Sequence, residues 1–360
     1  MALKCGIVGM SGTGKTTVFN CLSKSKVGAG APKTTNLGQI DVPDPRLEVL
    51  YTLAKSAKVV STTVEIVDIP GLAKGGSQIK GGNQFLADIR QTDAILHVLR
   101  CFDDDMVPHL EGSINPVRDK EIIDLELISR DIETLEKKIQ RLEKIAKSGD
   151  KDAKAGIEVI SKLKDYMENG ESARTFSIDD KDQKYIDDCF LLTVKPVLYV
   201  CNVDEASAQN GNAYVEQLKK AVANENTDVL IIAALAESEI AELEDETDQK
   251  EFLNDLGLDE PGVYKLIRSA YDLLNLKTFF TVGPKEVHAW TIKEGMTAPQ
   301  AAGVIHSDLE RGFIRAEVMK YTDFVELGSE QACKTSGKFF IEGKNYIVKD
   351  GDILNIRFNV

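Results

Sequence analysis

Gly9-Met10-Ser11-Gly12-Thr13-Gly14-Lys15-Thr16 is the stretch on which the fold turns. It fills the phosphate-loop pattern G-x-x-x-x-G-K-[ST] completely. Leu3-Lys4-Cys5-Gly6-Ile7-Val8 before it is apolar and β-branched enough for a buried strand, and Thr17-Val18-Phe19-Asn20-Cys21-Leu22 after it opens a helix. Gly9, Gly12 and Gly14 let backbone N–H groups curl around an anion, with Thr13 and Thr17 beside them. The helix start adds its positive dipole end. Lys15 is placed to reach β- and γ-phosphates, and the Thr16 hydroxyl to bind Mg²⁺. A glycine-rich strand-to-helix turn that binds nothing is the plain alternative.

Composition narrows the classes. The 360 residues carry 28 % charged and 42 % hydrophobic residues, which suits a soluble chain of two or three domains. A net charge of -14 argues against a general nucleic-acid coat. No apolar run reaches the ~20 residues of a membrane span, so no membrane partner is expected. The first strand begins at once, so no signal peptide is expected. Six cysteines form no C-x-x-C pair and read as small buried hydrophobes in a reducing compartment.

Downstream, Ser25 to Gly38 is a loop where a first nucleotide switch would sit, with Thr34 and Thr35 as candidate metal ligands. Thr63 to Val67 is a strand running into Asp68-Ile69-Pro70-Gly71. At that interval from a phosphate loop, D-x-x-G places Asp68 toward Mg²⁺ and the Gly71 N–H toward the γ-phosphate. Ala73 to Gly82 reads as a second switch loop. Ala94 to Leu99 is a buried strand. Its His97 is expected to pack rather than to act as a base, and the role of His109 is open.

From Asp119, apolar residues at Leu125, Ile128, Ile132, Leu135, Ile139, Leu142 and Ala146 alternate spacings of three and four, a coiled-coil seam. Ile157, Ile160, Leu163 and Met167 form a returning stripe, so an antiparallel helical hairpin is expected. Lys195 to Cys201 returns to a parallel strand ending at Asn202-Val203-Asp204-Glu205, and Val229 to Ala234 is the last strand of this domain. The order gives a doubly wound α/β sheet with ligand at the carboxyl strand ends. Beyond Thr278 come short strands, turns and one helix over 298–309, a small mixed α/β module.

Four features together resemble the YchF family of Obg-like P-loop ATPases: the phosphate loop, Asp68-Ile69-Pro70-Gly71-Leu72, Asn202-Val203-Asp204-Glu205, and Val282-Gly283-Pro284-Lys285-Glu286-Val287. The loop departs from the family's G-x-P-N-V-G-K-S by carrying Ser11 and Gly12. The resemblance implies a P-loop domain over 1–118 and 196–276, a helical coiled-coil insertion over 119–195, and a ubiquitin-like TGS module over 277–360. It further implies a cytoplasmic, monomeric switch that binds ribosomes or ribosomal RNA and hydrolyses ATP slowly with Mg²⁺. Lys15 and Gly71 are then the catalytic positions. Thr16, Thr35 and Asp68 are the metal ligands, and Asn202, Val203 and Glu205 the base contacts. N-x-x-E in place of N-K-x-D argues for lost guanine specificity, hence ATP over GTP. Slow hydrolysis is expected because Leu72 occupies the place of a water-orienting glutamine. Two other readings stand beside this one: a ribosome-binding adaptor that uses GTP or both purines, and a P-loop small-molecule kinase.

Overall fold

The computed structural model describes residues 3–23, 35–72, 82–225, 227–243 and 245–359. In chain order the elements begin β1 (Lys4–Val8), α1 (Lys15–Ser23), β2 (Asn36–Asp41), α2 (Pro45–Ala54), β3 (Val59–Val60), β4 (Thr63–Asp68), α3 (Gly82–Arg90) and β5 (Ala94–Cys101). The helical insertion follows as α4 (Pro116–Ala146), α5 (Lys151–Glu168) and α6 (Asp180–Asp187). Then come β6 (Val197–Val203), α7 (Ala213–Ala221), β7 (Val229–Ile232), α8 (Ala234–Ala241), α9 (Glu246–Asp255) and α10 (Gly262–Leu273). The chain closes with β8 (Leu276–Val282), β9 (Val287–Lys293), α11 (Ala298–Ile305), α12 (Ser307–Arg311), β10 (Phe313–Lys320), α13 (Tyr321–Leu327), α14 (Glu330–Thr335), β11 (Phe340–Glu342) and β12 (Asp352–Phe358).

Two compact units result: Met1–Gly38 with Glu65–Leu266, and Gln39–Val64 with Ile267–Val360. The first carries a six-stranded sheet in the order β2-β4-β1-β5-β6-β7. β1 lies parallel between β4 and β5, and β6 joins β5 to β7, also in parallel. Every residue of β5 and β6 is buried, as strands covered on both faces must be. The ligand edge of such a sheet is its carboxyl end, where β1, β4 and β6 deliver the three sequence motifs.

The insertion is an antiparallel helix pair. Asn115 caps α4 and Pro116 pre-sets its first turn; Asp150 caps α5 after the turn at Gly149. Ile128, Leu135, Ile160, Leu163 and Met167 form its core. Leu125, expected in the seam, is exposed. Here the base of α4 turns Ile123 and Leu127 into the sheet's core, so burial shifts off the seam register. Asp131 then ties the returning chain, accepting from Leu192 N, Thr193 N and Thr193 Oγ1 at 2.7–2.8 Å.

The second unit is a sheet in the order β11-β10-β12-β8-β9-β3. β8 and β9 form an antiparallel hairpin, β12 pairs β8 in parallel, and β3 adds in parallel to β9. Leu47 and Leu50 of α2 pack with Phe280, Val287, Met319 and Ile353. Arg46 binds Asp350 at 2.6 Å, and the same carboxylate accepts from Thr278 N at 2.8 Å. The single helix predicted over 298–309 is broken. His306 is extended, at φ −163° and ψ 141°, and its Nδ1 accepts from Asp308 N to start α12 afresh.

Candidate nucleotide site

The phosphate loop takes the geometry its glycines permit. Gly9, Gly12 and Gly14 have φ of 153°, 81° and 87°, values that side chains resist. A Cβ on Gly14 would strike the Asn202 amide, so that glycine is also required by close approach. Thr13 is buried, its hydroxyl donating to Met10 O at 3.1 Å. α1 begins directly, with Val18 N donating to Gly14 O at 2.9 Å. Thr17 stands half-buried on its first turn.

Lys15 is buried, and its Nζ donates to Met10 O at 2.6 Å. Burial pulls its pKa down to about 8, against the opposing pull of Asp68. An ammonium held in so dry a place gains from an arriving polyanion. Asp68 is fully buried at the end of β4. Thr16 Oγ1 donates to its Oδ2 at 3.2 Å, while Oδ1 makes no well-formed hydrogen bond among the described residues, although the Asn36 amide lies close to the carboxylate. Burial raises the Asp68 carboxyl, and Lys15, Thr16 and Asn36 offset part of that rise. An orphaned carboxylate oxygen beside a hydroxyl is the hard-oxygen pair that suits Mg²⁺.

The D-x-x-G turn lies on the loop. Leu72 N donates to Gly9 O at 3.3 Å, and Leu72 and Met10 form a parallel bridge. A Cβ at Gly71 would come within 2.6 Å of Lys15 Nζ and 3.1 Å of Ser11 N, so a side chain there would push the lysine head aside. The Leu72 side chain is buried with Val8, Ile69 and Phe85.

On the base side, Asn202, next to last in β6, is buried with both ends of its amide engaged. Nδ2 donates to Thr13 O at 3.0 Å, and Oδ1 accepts from Ala234 N at 3.1 Å. It stitches the phosphate loop to the start of α8. The Val203 side chain is in the core, while Glu205 is exposed. Thr35 donates its hydroxyl to Asp88 Oδ2 at 2.5 Å, and Gln84 holds the other oxygen of Asp88 at 2.7 Å. Thr34 and most of both expected switch loops lie outside the described residues.

The histidines are accounted for otherwise. His97 is buried against Tyr199, and burial drives its pKa to about 3, so it stays neutral. His109 Nε2 meets Asp119 Oδ2 at 2.8 Å, and its Nδ1 accepts from Glu111 N, which makes it a loop anchor. All six cysteines are free and buried. Sequence reasoning missed Asp88, the Met10 carbonyl and Ala234. The first has an i, i+4 pair with Gln84 as its only sequence signal, and the other two act through the backbone.

Two family models match this chain. One, described as a 50S ribosome-binding GTPase, covers residues 4–146; the other, for the C-terminal part of YchF GTPases and described as a protein of unknown function, covers 276–359. Ribosome-binding ATPase YchF of Haemophilus influenzae is 47 % identical over 365 residues, covering all of both chains. The protein of the same name from Bacillus subtilis is 47 % identical over 367 residues, again covering all of both. The solved structure of the Schizosaccharomyces pombe YchF GTPase superposes with a TM-score of 0.88 at 34 % identity, covering 99 % of this chain and 97 % of that one.

Proposed function

Because this chain belongs to the YchF family, we propose that it is a ribosome-binding ATPase whose nucleotide state governs its engagement with the ribosome. The observation that carries the chemistry is the meeting of Lys15, Thr16 and Asp68 at the strand ends, with one Asp68 oxygen free of a well-formed hydrogen bond among the described residues.

Lys15 supplies the charge for the β- and γ-phosphates. The backbone of Gly9 to Thr16 cradles them, with Thr17 close by. Thr16 and Asp68 would hold Mg²⁺, joined by Thr35 on leaving Asp88, and the ion would neutralise charge that builds on the phosphates. Gly71 offers backbone alone against the transferred group. Leu72, turned into the core, cannot orient water, and neither His97 nor His109 is available as a base. Slow hydrolysis by the isolated monomer follows, with a partner expected to speed it.

Adenine preference is supported by what the base side lacks. Glu205 is exposed and one methylene longer than the aspartate that reads guanine. Val203 is in the core, and the Asn202 amide serves the phosphate loop, so both act on the base through backbone and position. For the ribosome, the C-terminal unit offers less free charge than its lysines suggest. Lys277, Arg311, Arg315, Lys320, Lys334 and Lys338 each pair with an acid, and Lys285, Lys293 and Lys344 are exposed with no ion pair among the described residues. Co-sedimentation with ribosomes in ADP, ATP and non-hydrolysable-analogue states, beside ATP/GTP competition at equal Mg²⁺, tests the reading. Ribosome binding indifferent to nucleotide favours the adaptor, and GTP tenfold tighter than ATP defeats the base assignment.

A further inference from the structure

Arg100, the penultimate residue of β5, is the largest of the fully buried side chains among the described residues. A guanidinium so placed needs its donors satisfied. Its three partners are all main-chain carbonyls of one short loop. Nε donates to Phe102 O at 3.1 Å, Nη2 to Asp104 O at 3.0 Å and Nη1 to Val107 O at 2.6 Å. The guanidinium carbon also lies 4.7 Å from the Phe102 ring centre. One planar fork thereby fixes the course of residues 102–107, which a single-point cation such as lysine cannot do.

That loop lies between two parts of the nucleotide site. In the sheet register Arg100 stands opposite Asn202, and Cys101 opposite Val203. Asn212 Nδ2 donates to Cys101 O at 2.7 Å, and Tyr214 OH donates to Asp103 at 3.1 Å, which moors the loop on the N-x-x-E side. On the other side, a Cβ built on Gly12 would meet Val107 Cγ1 at 3.4 Å. No motif in the sequence marks this segment.

We propose that Arg100 is a positioning residue of the nucleotide site: by gathering the carbonyls of Phe102, Asp104 and Val107 it sets this loop as a wall between the phosphate loop and the Asn202 segment, and so tunes purine-nucleotide affinity and choice. The proposal rests on the reading of Lys15 to Asn202 as a nucleotide site. It assigns Arg100 no contact with phosphate. Its effect is transmitted through Val107 against Gly12.

The test compares full-length wild type, Arg100→Met, Arg100→Lys and Val107→Ala. Dissociation constants for fluorescent ATP and GTP analogues are measured well below each melting temperature, with steady-state hydrolysis alongside. Arg100→Met is expected to weaken ATP binding roughly tenfold, with the loss in KM more than in kcat, since small misplacements at a site are costly. Its ATP-to-GTP preference should shrink toward one, and Arg100→Lys should recover part of both. Val107→Ala, which spares the buried fork, should reproduce the shift in preference more weakly; it decides the matter if Arg100→Met does not fold. A lowered melting temperature with unchanged constants and preference in the folded variants overturns the proposal and leaves the site reading intact. Wild-type protein that binds neither nucleotide overturns both.

Discussion

The two units of this chain solve the same problem, holding polar groups in place, over very different sequence distances. In the first, Lys15 and its acceptor Met10 are five residues apart, and the motifs around them end neighbouring strands. In the second, Arg46 reaches Asp350 across 304 residues, and α2 is buried against β8, β9 and β10. The contacts inside the phosphate loop are therefore local, even though Asn202 braces that loop from 189 residues away, while the second unit's architecture depends on two distant pieces of chain. The first can be damaged at a point; the second fails as a whole.

The largest expected effect tests that contrast directly. Truncation before Leu276 leaves Leu47 and Leu50 without Phe280, Val287, Met319 and Ile353. Burying such side chains is worth about 2–5 kcal/mol each, so the truncated chain should be insoluble or lose cooperative melting, read by sedimentation and calorimetry. A well-folded truncated ATPase would collapse the comparison.

Lys15→Ala comes next and should act in the opposite manner. Loss of this buried ammonium should cost roughly 3 kcal/mol or more of triphosphate binding while the melting curve stays close to wild type. Calorimetric titration with ATP measures it, and a large drop in melting temperature would blur the line between the units.

Glu237 probes the place where the chain leaves the first unit. It is buried in α8 and accepts from Val263 N at 3.0 Å, at the start of α10. Burial raises its pKa from 4.5 to about 7, so the folded protein holds a proton that the unfolded chain has released. This contribution is whole below pH 4.5 and is lost as pH rises through about 7, up to about 3 kcal/mol. Urea melts at pH 5 and pH 8 should show the loss in wild type, and Glu237→Gln should flatten it.

The smallest effect is expected at Asn202. Asn202→Ala strands Thr13 O and Ala234 N, which costs ~1–3 kcal/mol. Nucleotide affinity should fall with it, for ATP and GTP alike, because the amide acts on the shared phosphate loop. A change confined to one base in parallel titrations would return Asn202 to base readout.

What could be read in advance follows the same division. Gly9 to Thr16 and Asp68 to Gly71 announce themselves because a phosphate constrains backbone, charge and spacing within a few residues. The hairpin is legible because its apolar period persists through Ile128 to Met167. Thr35 beside Asp88, and Asn202 beside Ala234, join separate elements, and no pattern within either segment encodes the meeting. β10 was hidden in Phe313 to Lys320, where Arg315 and Glu317 interrupt the apolar alternation and pair with each other, Glu317 itself being buried. The helix break at His306 is a matter of one residue's backbone angles. Nothing in Gln39 to Val64 declares that it is core material for a unit completed hundreds of residues later.

That division has a timetable. A ribosome adding about 5–20 residues per second needs roughly 15–60 s to travel from the end of the early segment to β12. Through that interval α2 and β3 leave the exit tunnel with no sheet to join, while α1 and the strands of the first unit gather their partners one after another. Leu47 and Leu50 have no cover until β8 and β9 bring Phe280 and Val287, and their cover is complete only when β12 brings Ile353. Deep in the gene, slow codons would lengthen this wait and rapid ones shorten it, so the yield of active protein should answer to the pace of translation even where the amino-acid sequence is untouched.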